Sequence, residues 1–395
     1  MDKNYQVSLL FNANKAYDRQ VMEGIGDYLH ANQCCWNIYI EEDFTTSIEQ
    51  FKSWKGDGVI ADFDNPALEQ LMMEADMPVV GVGGSYANPD HYPKVPYVAT
   101  DNKQLVVMAF EHLKSKGLEQ FAFYGIPQDS WERWAIEREN TFIELMENES
   151  YEYSIFHGSS TNSKTWQEDM NNLESWLKGL PIPVGIIAVT DARARHILQV
   201  CDQLKILVPE QVAVIGIDNE EMTRYLTRVS LSSVAQGTRR MGYQAAKLLH
   251  NLLNKTPNRS GQLPRILVPP TKVLQRQSSD YQGVDDPYVA NALHYIRHHA
   301  CKGIKVEQVL DYIGISRTNL EGRFKSLRQH SIHQEIHQAK LERAAQLLRE
   351  SELPIADISE ACGYPSIQYL YSVFKKHYSQ TPKEYRVYYQ TQKNV

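Results

Sequence analysis

Up to about residue 218 one pattern recurs along the chain: a short apolar run, then a segment of helical length and period. The runs are VSLLF (7–11), WNIYI (36–40), GVIAD (58–62), PVVGV (78–82), YVAT (97–100), FAFYG (121–125), GIIAVT (185–190) and VAVIGID (212–218). Between them lie stretches such as DRQVMEGIGDYLHAN, NKQLVVMAFEHLKSKG and ARARHILQVCDQLK. Wholly apolar strands need cover on both faces, and a helix between successive strands supplies the crossover that a parallel pair requires. The alternation predicts doubly wound parallel sheets, with too many strands for one comfortable sheet and hence two α/β lobes. Gly117, after Lys114 and Lys116, marks a helix stop. The pattern ends in RQSSDYQGVDDP (276–287), which is polar and turn-rich. Beyond it the strand signals vanish, and PYVANALHYIRHHA, KVEQVLDYI, SRTNLEGRFKSL, IHQEIHQAKLERAAQLLRE, IADISEAC and SIQYLYSVFKKHY all read as helices. The expected organisation is a two-lobed α/β region over residues 1–280, a linker over 281–287 and an all-α region over 288–391.

Charge separates the same two regions. The whole chain carries −7, which taken alone argues against nucleic acid. From Asp285 onward, however, 15 basic residues face 12 acidic ones, a net +3, while the remainder holds 26 basic and 36 acidic, a net −10. The acidic part would repel DNA and the basic part could approach it. The apolar run at the N-terminus, Val7 to Phe11, is too short for a signal segment or a membrane span, so it reads as a first strand and no membrane partner is expected. The five cysteines, Cys34, Cys35, Cys201, Cys301 and Cys362, are odd in number and form no CxxC, which suits a reducing, cytoplasmic setting.

The all-α region contains a duplication. VEQVLDYIGISRTNLEGRFK (306–325) and IADISEACGYPSIQYLYSVFKK (355–376) each hold a helix, a glycine (Gly314, Gly363), a short turn with serine (Ser316, Ser366) and a second helix ending in Phe-Lys. Glycine adopts the left-handed backbone that a tight helix–helix turn needs, and serine can cap the helix that follows. Leu320 and Phe324, like Leu370 and Phe374, take the inward positions and leave the other faces free to enter a major groove. Two copies joined by an amphipathic helix (about Ile332 to Arg349) and followed by TPKEYR (381–386) resemble the AraC-type DNA-binding domain. That resemblance implies two helix-turn-helix motifs whose second helices enter successive major grooves of double-stranded promoter DNA, about 10 base pairs apart. It implies base-facing roles for Arg317, Thr318 and Glu321 in the first motif and for Gln368, Tyr369 and Ser372 in the second. Gln suits adenine, Glu can accept from cytosine and Thr can touch a thymine methyl, while Lys325, Lys375 and Lys376 suit phosphates. The family often has Gly where Ser379 stands and Phe where Leu370 stands.

In doubly wound sheets ligands sit outside the carboxyl ends of the strands. That criterion selects Asn12 and Asn14, Asp62, Asp191 and Asp218. Carboxylates accept paired hydroxyls, Arg donates back and aromatic rings cover the apolar face of a sugar, which adds Tyr17, Arg133 and Trp134 as candidates for stacking and extra donors. The bland alternative for Asp191 is a helix cap, and for Asp218 a turn. Several segments, YVATDNKQLVVMAFEHLKSKGLEQFAFYG (97–125), VTDARARHILQVC (189–201), VPEQVAVIGIDNEEMTRYL (208–226), SSVAQGTRRMGYQAAKLL (232–249) and ILVPP (266–270), together resemble the effector-binding domain of LacI-type repressors and periplasmic sugar-binding proteins. The resemblance implies a periplasmic-binding-protein-like sensor in which Asp191, Asp218, Gln236 and Arg138 contact the ligand.

Taken over nearly the full length, a LacI-type sensor ahead of an AraC-type reader is similar to the regulators of xylose operons, on stretches such as FNANKAYDRQ (11–20), GDGVIADFD (56–64), TDARARHILQVC (190–201) and HACKGIKV (299–306). This resemblance implies D-xylose as effector, a homodimer formed through the sensor, contact with RNA polymerase, and activation of xylose uptake and catabolism genes. Another pentose or hexose is the alternative effector. Neither cofactor nor metal is expected, and enzymatic signals fail. His333 and His337 are spaced as in a zinc-protease helix, but Gln334 stands where the catalytic Glu belongs. Gly81-Val82-Gly83-Gly84 lacks dinucleotide-loop spacing and reads as a turn, and there is neither a P-loop nor a GxSxG elbow. Asp191 and Asp218 could suggest glycosidase chemistry, but a sugar-acting enzyme would leave the duplicated motif without a role. A transport binding protein would require an export signal.

Overall fold

Twelve strands are present among the described residues: β1 Tyr5–Leu10, β2 Trp36–Ile40, β3 Gly58–Asp62, β4 Val79–Gly84, β5 Tyr97–Thr100, β6 Phe121–Gly125, β7 Tyr153–His157, β8 Val184–Ala188, β9 Val212–Ile217, β10 Ser232–Ala235, β11 Arg265–Val268 and β12 Lys272–Leu274. The structure, a computed structural model, describes residues 4–40, 51, 54–128, 130–256, 262–284 and 286–393, apart from the side chains of 224, 225 and 390–393. It divides into two units, Met1–Tyr281 and Gln282–Val395.

The first unit holds two six-stranded sheets, ordered β11-β5-β4-β3-β1-β2 and β12-β10-β9-β8-β6-β7. Every pairing is parallel except that of β10 with β12. Side chains alternate between the faces of each sheet. In the first lobe Val7, Leu9, Ile60, Val80, Val82 and Val98 pack with helices Ala16–Ala31 and Thr238–Leu253, while Leu10, Val59, Ala61, Val79 and Tyr97 build a second core behind them. The second lobe repeats this, with Tyr124, Ile186 and Val214 on one side and Phe121, Phe123, Ile187 and Ile215 on the other. Each buried Val, Leu, Ile or Phe among these contributes about 1.5–3 kcal/mol, and covering both faces is what makes the strands read as unbroken apolar runs.

The chain passes between the lobes three times, after β5, after β10 and between β11 and β12. The crossings lie side by side: the Asp101 N–H donates to Val268 O at 3.0 Å, and the Thr271 N–H donates to Ala235 O at 2.9 Å. Within the first lobe two helices meet backbone to backbone. A Cβ added at Gly242 would lie 1.9 Å from Val21 O, and one at Gly24 would lie 1.9 Å from Arg239 O. Gly242→Val is therefore expected to destabilise the first unit by about 1–3 kcal/mol, since neither helix can yield without opening the core around Val21 and Ile25. A urea midpoint equal to that of the parent chain would contradict this.

Two departures from expectation have clear causes. Gly81 to Gly84 form part of β4 and not a turn. A Cβ at Gly81 would come within 2.7 Å of the Tyr97 ring and 2.8 Å of Phe63, so the glycine makes room for aromatic packing on the sheet. Four strands, β7 and β10 to β12, were not expected: β7 is a half-exposed edge, β10 is serine-rich, and β11 and β12 have only four and three residues.

In the second unit helices span Pro287–His299, Val306–Ile313, Arg317–Arg328, Ile332–Glu350, Ile355–Ala361, Ile367–Tyr378 and Pro382–Lys393. Leu320 and Phe324 sit in one core cluster, and Leu370 and Phe374 in another. Of the segment read as a linker, Tyr281 is buried with the second lobe's core, Asp286 caps Pro287–His299 through Tyr288 N (2.9 Å) and Val289 N (3.2 Å), and Asp285 lies outside the described residues.

Candidate functional site

The carboxyl ends of β3, β4, β8, β9 and β10, with the start of helix Arg133–Glu149, bring polar groups of both lobes together. Arg138 lies at the centre and is 3% exposed. Its Nε donates to Asn102 Oδ1 (2.9 Å), its Nη1 to Val189 O (2.6 Å), and Nη1 also lies 3.8 Å from Asp218 Oδ1. Asp218 in turn accepts from Gln236 Nε2 at 2.6 Å. The Gln236 carbonyl oxygen is buried and has no partner within the protein. Trp134 lies under the Arg138 guanidinium at 4.9 Å. Buried acceptors are ordinarily satisfied, so an orphan beside an ion pair is a place for a ligand hydroxyl.

Asp218 has a backbone φ of +120° and Asn219 one of +51°. Non-glycine residues there are strained by about 1–3 kcal/mol each and persist only where surroundings over-determine them. Here Ser233 Oγ accepts from Asn219 N–H (2.9 Å) and Arg276 Nη2 donates to Asn219 Oδ1 (2.9 Å). Burial pushes the Asp218 carboxyl up to about 6, with Arg138 opposing.

Asp191 plays a different part from the one its position suggests. Thr190 is the helix cap, with its hydroxyl accepting from Arg193 N–H. Asp191 is 2% exposed, and both its oxygens are engaged: Oδ1 accepts from Ser233 Oγ (2.7 Å) and Oδ2 from Glu220 N–H (2.8 Å). By holding Glu220 N–H it braces the loop that carries Asp218.

On the first lobe Tyr17 is half-buried, with its hydroxyl 3.0 Å from Thr100 Oγ1. Asp62 is buried, accepts from Asp64 N–H (2.9 Å) and has Lys15 at 3.8 Å. Asn12 accepts from Asn14 N–H (3.0 Å) and donates its own N–H to Asp18 (2.7 Å), while Asn14 is exposed and belongs to the turn. Asp18 has a buried oxygen without a partner, and burial pushes its carboxyl up to about 6. Arg138 feels Tyr17 and Asp64 as well as Asp218, so the first-lobe groups face the second-lobe cluster.

Arg133 is not a free donor. It reaches from the second lobe to Glu69 (3.1 Å) and Phe63 O (2.8 Å) and stacks on Tyr86 at 3.9 Å. A second bridge joins Ser85 to Glu137. Asp64, which accepts twice from Gly84 N–H (2.9 and 3.0 Å), was passed over in the sequence although it follows the same strand as Asp62. Asn102 and Glu137 carried no local signal, because their role is to hold Arg138 and to meet the other lobe.

The second unit presents two matching surfaces. Ser316 caps Arg317–Arg328 through Asn319 N (3.4 Å), and Ser366 caps Ile367–Tyr378 through Tyr369 N (3.2 Å). Gly314 and Gly363 turn at φ +75° and +66°. The succession of buried and exposed positions over 320–330 recurs unchanged over 370–380. Arg317, Thr318, Gln368, Tyr369 and Ser372 are exposed, as are Lys325, Lys375 and Lys376, while Glu321 is half-buried. Gln334 completes a capping box with Ser331, which explains its place between the two histidines. No cluster suited to a metal ion occurs among the described residues, and none of their helices is long and apolar enough to cross a membrane.

Comparison with known proteins assigns both units. Residues 6–103 match the family described as the XylR N-terminal domain, 110–279 a periplasmic binding protein-like domain, and 309–387 a helix-turn-helix domain. The chain is 59% identical to the xylose operon regulatory protein of Escherichia coli (strain K12), over 97% of each. It is 52% identical to that of Haemophilus influenzae, over 98% of this chain and 99% of the relative. A solved structure of a xylose-binding transcription activator matches with a TM-score of 0.88 at 58% identity, covering 97% of this chain and 98% of that one. A sensor of sugar-binding type followed by a duplicated DNA reader, at this identity and over this length, makes the chain a member of the xylose operon regulatory protein family, a transcription regulator and not an enzyme.

Proposed function

We propose that this regulator is a cytoplasmic, D-xylose-dependent activator that binds promoter DNA as a homodimer, contacts RNA polymerase and turns on xylose uptake and catabolism genes. The observation that carries the reading is the Arg138–Asp218–Gln236 cluster, with its unpartnered Gln236 carbonyl, set between two lobes that three chain crossings join. Asp218 and Gln236 accept sugar hydroxyls, Arg138 donates to them, and Trp134 and Tyr17 supply ring faces. The second-lobe cluster faces Tyr17 and Asp64 of the first lobe, so sugar held between the lobes favours the closed arrangement, in which Arg133 reaches Glu69 and Ser85 meets Glu137. Sugar thereby shifts the population toward the state whose paired readers suit the promoter. The base-facing residues are Arg317, Thr318, Glu321, Gln368, Tyr369 and Ser372.

Calorimetry of the full chain with xylose, arabinose, ribose and glucose tests this. Selective xylose binding, weakened at least about a hundredfold by Asp218→Ala, is the expected result, a loss of about 2.7 kcal/mol. Preference for another sugar would keep the regulator and discard xylose, and no binding at all would overturn the sensor reading.

Acidification provides an independent check. Asp218 faces Arg138, Asp191 and Glu220, and burial pushes its carboxyl up to about 6. Above that value it is ionised and accepts hydroxyls; as pH falls through 6 it takes up a proton, so sugar affinity is expected to drop between pH 7.5 and 5. Stability moves the other way for this group. Its folded carboxyl holds a proton at pH values where the unfolded chain's, near 3.8, has lost it, so its contribution grows as pH falls from above 6 and is complete below about 4. Affinity that rose on acidification would contradict the assignment of Asp218 as acceptor.

A further inference from the structure

Two of the five cysteines meet inside the DNA-reading unit. Cys301 lies in the turn Ala300–Lys302 that follows the unit's first helix, and Cys362 ends the first helix of the second motif, Ile355–Ala361. Cys362 is fully buried in the second motif's core, and half-buried Cys301 packs against that same core, although it belongs to the first half of the unit in sequence. Both are free thiols, and Cys301 lies against the cluster that holds Cys362. Their backbones touch as well: a Cβ added at Gly363 would lie 2.3 Å from Cys301 O. Lys340 donates to Gly363 O at 3.0 Å, so a cation stands beside the pair.

We propose that Cys301 and Cys362 are an oxidisable dithiol, closed to a disulfide by a hydroperoxide, which couples DNA reading to oxidant. The neighbouring Cys362 thiol, helped by Arg343 and Lys340, pulls the Cys301 thiol down to about 7, while the neighbouring Cys301 and burial push Cys362 up. Cys301 is thus the nucleophile and the partly exposed partner, and Cys362 the resolving thiol. The Cys301 thiolate attacks the hydroperoxide, forming an S–O bond and breaking the O–O bond, and the alcohol leaves with a proton. The Cys362 sulfur then attacks the Cys301 sulfur; the S–S bond forms, the S–O bond breaks, and water leaves with the Cys362 proton. Two thiols are oxidised by two electrons, and the peroxide is reduced to alcohol and water.

The consequence follows from position. An S–S bond of about 2.05 Å is far shorter than a thiol–thiol contact, so the sulfurs must approach. Gly363 and Cys301 O already touch, so the backbone there cannot simply close further. The strain falls on the Gly363 turn, which aims helix Ile367–Tyr378. This step rests on the reading of that helix as a DNA contact; the thiol chemistry does not.

The test exposes the purified full chain to cumene hydroperoxide, then maps disulfides by mass spectrometry. DNA affinity is measured on a duplex selected by the reduced protein from a randomised pool. The expected result is a Cys301–Cys362 cross-linked peptide lacking two hydrogens and DNA binding weakened at least about tenfold. Dithiothreitol reverses both, Cys301→Ser abolishes both, and Cys362→Ala leaves a sulfenic acid trapped at Cys301 by dimedone. Oxidation confined to Cys34 and Cys35 would overturn the proposal. A Cys301–Cys362 disulfide with unchanged DNA affinity would overturn the coupling, and failure of the reduced protein to select any duplex would instead count against the reader assignment.

Discussion

Replacing Arg138 by Met is expected to abolish the sugar response and to weaken the sensor at the same time. The guanidinium is 3% exposed and serves Asn102, Val189 and Asp218 together, while burial already pushes the carboxyls of Asp218 and Asp191 upward. Met fills similar space but returns no charge. Breaking a buried pair from one side costs about 3–5 kcal/mol, and partial exposure of Asp218 argues for the lower end. For a unit of this size that lowers Tm by about 5–10 °C. Sugar affinity should fall at least about a hundredfold, because the donor is lost and Asp218 is driven toward its protonated form. Calorimetry and thermal unfolding check both effects, and Asp218→Asn made in the Met background should recover part of the Tm without recovering sugar binding. Sugar affinity within a few-fold of the parent would remove Arg138 from the site.

Phe374→Ala should have the opposite pattern, with DNA binding lost and sugar binding kept. Phe374 is fully buried and packs on Tyr378 (4.5 Å between ring centroids) and Tyr385 (5.2 Å). Truncation leaves a cavity worth about 3–5 kcal/mol, a large share of the stability of a small helical unit. The second motif has its own core, distinct from the cluster around Phe324, so the loss falls first on helix Ile367–Tyr378. A reader reduced to one motif should approach non-specific affinity, about a thousandfold weaker on a selected duplex. Sugar binding belongs to the other unit, with separate cores, and should match the parent chain. Full DNA affinity in this variant would mean that the second motif contributes nothing to recognition.

These two variants separate what local pattern dictates from what it leaves open. Unbroken apolar runs and period-3.6 apolar patterning are properties of neighbouring residues, so VSLLF, GIIAVT and the helix 332–350 declare themselves along the chain, as do Gly314 and Gly363, whose turns need left-handed backbone. The duplication is legible for the same reason, since each motif closes over its own Leu and Phe. Carboxylates at strand ends are also readable, because the end of a parallel strand is a local fact. What such a carboxylate does is not local. Asp191 and Asp218 follow equivalent strands, yet the first is consumed by Ser233 and Glu220 while the second turns to Arg138 and Gln236. Arg133 looks like a donor to ligand, but it is claimed by Glu69 and Phe63, 64 and 70 positions away. Serine-rich β10 and glycine-bearing β4 contradict strand propensity and exist because neighbouring strands and aromatic rings fill what their side chains omit. The elements and the residue types at the cleft are thus written in short-range pattern. Their partners are set by three chain crossings that bring distant strand ends face to face, and that long-range packing overrides local preference wherever the two conflict.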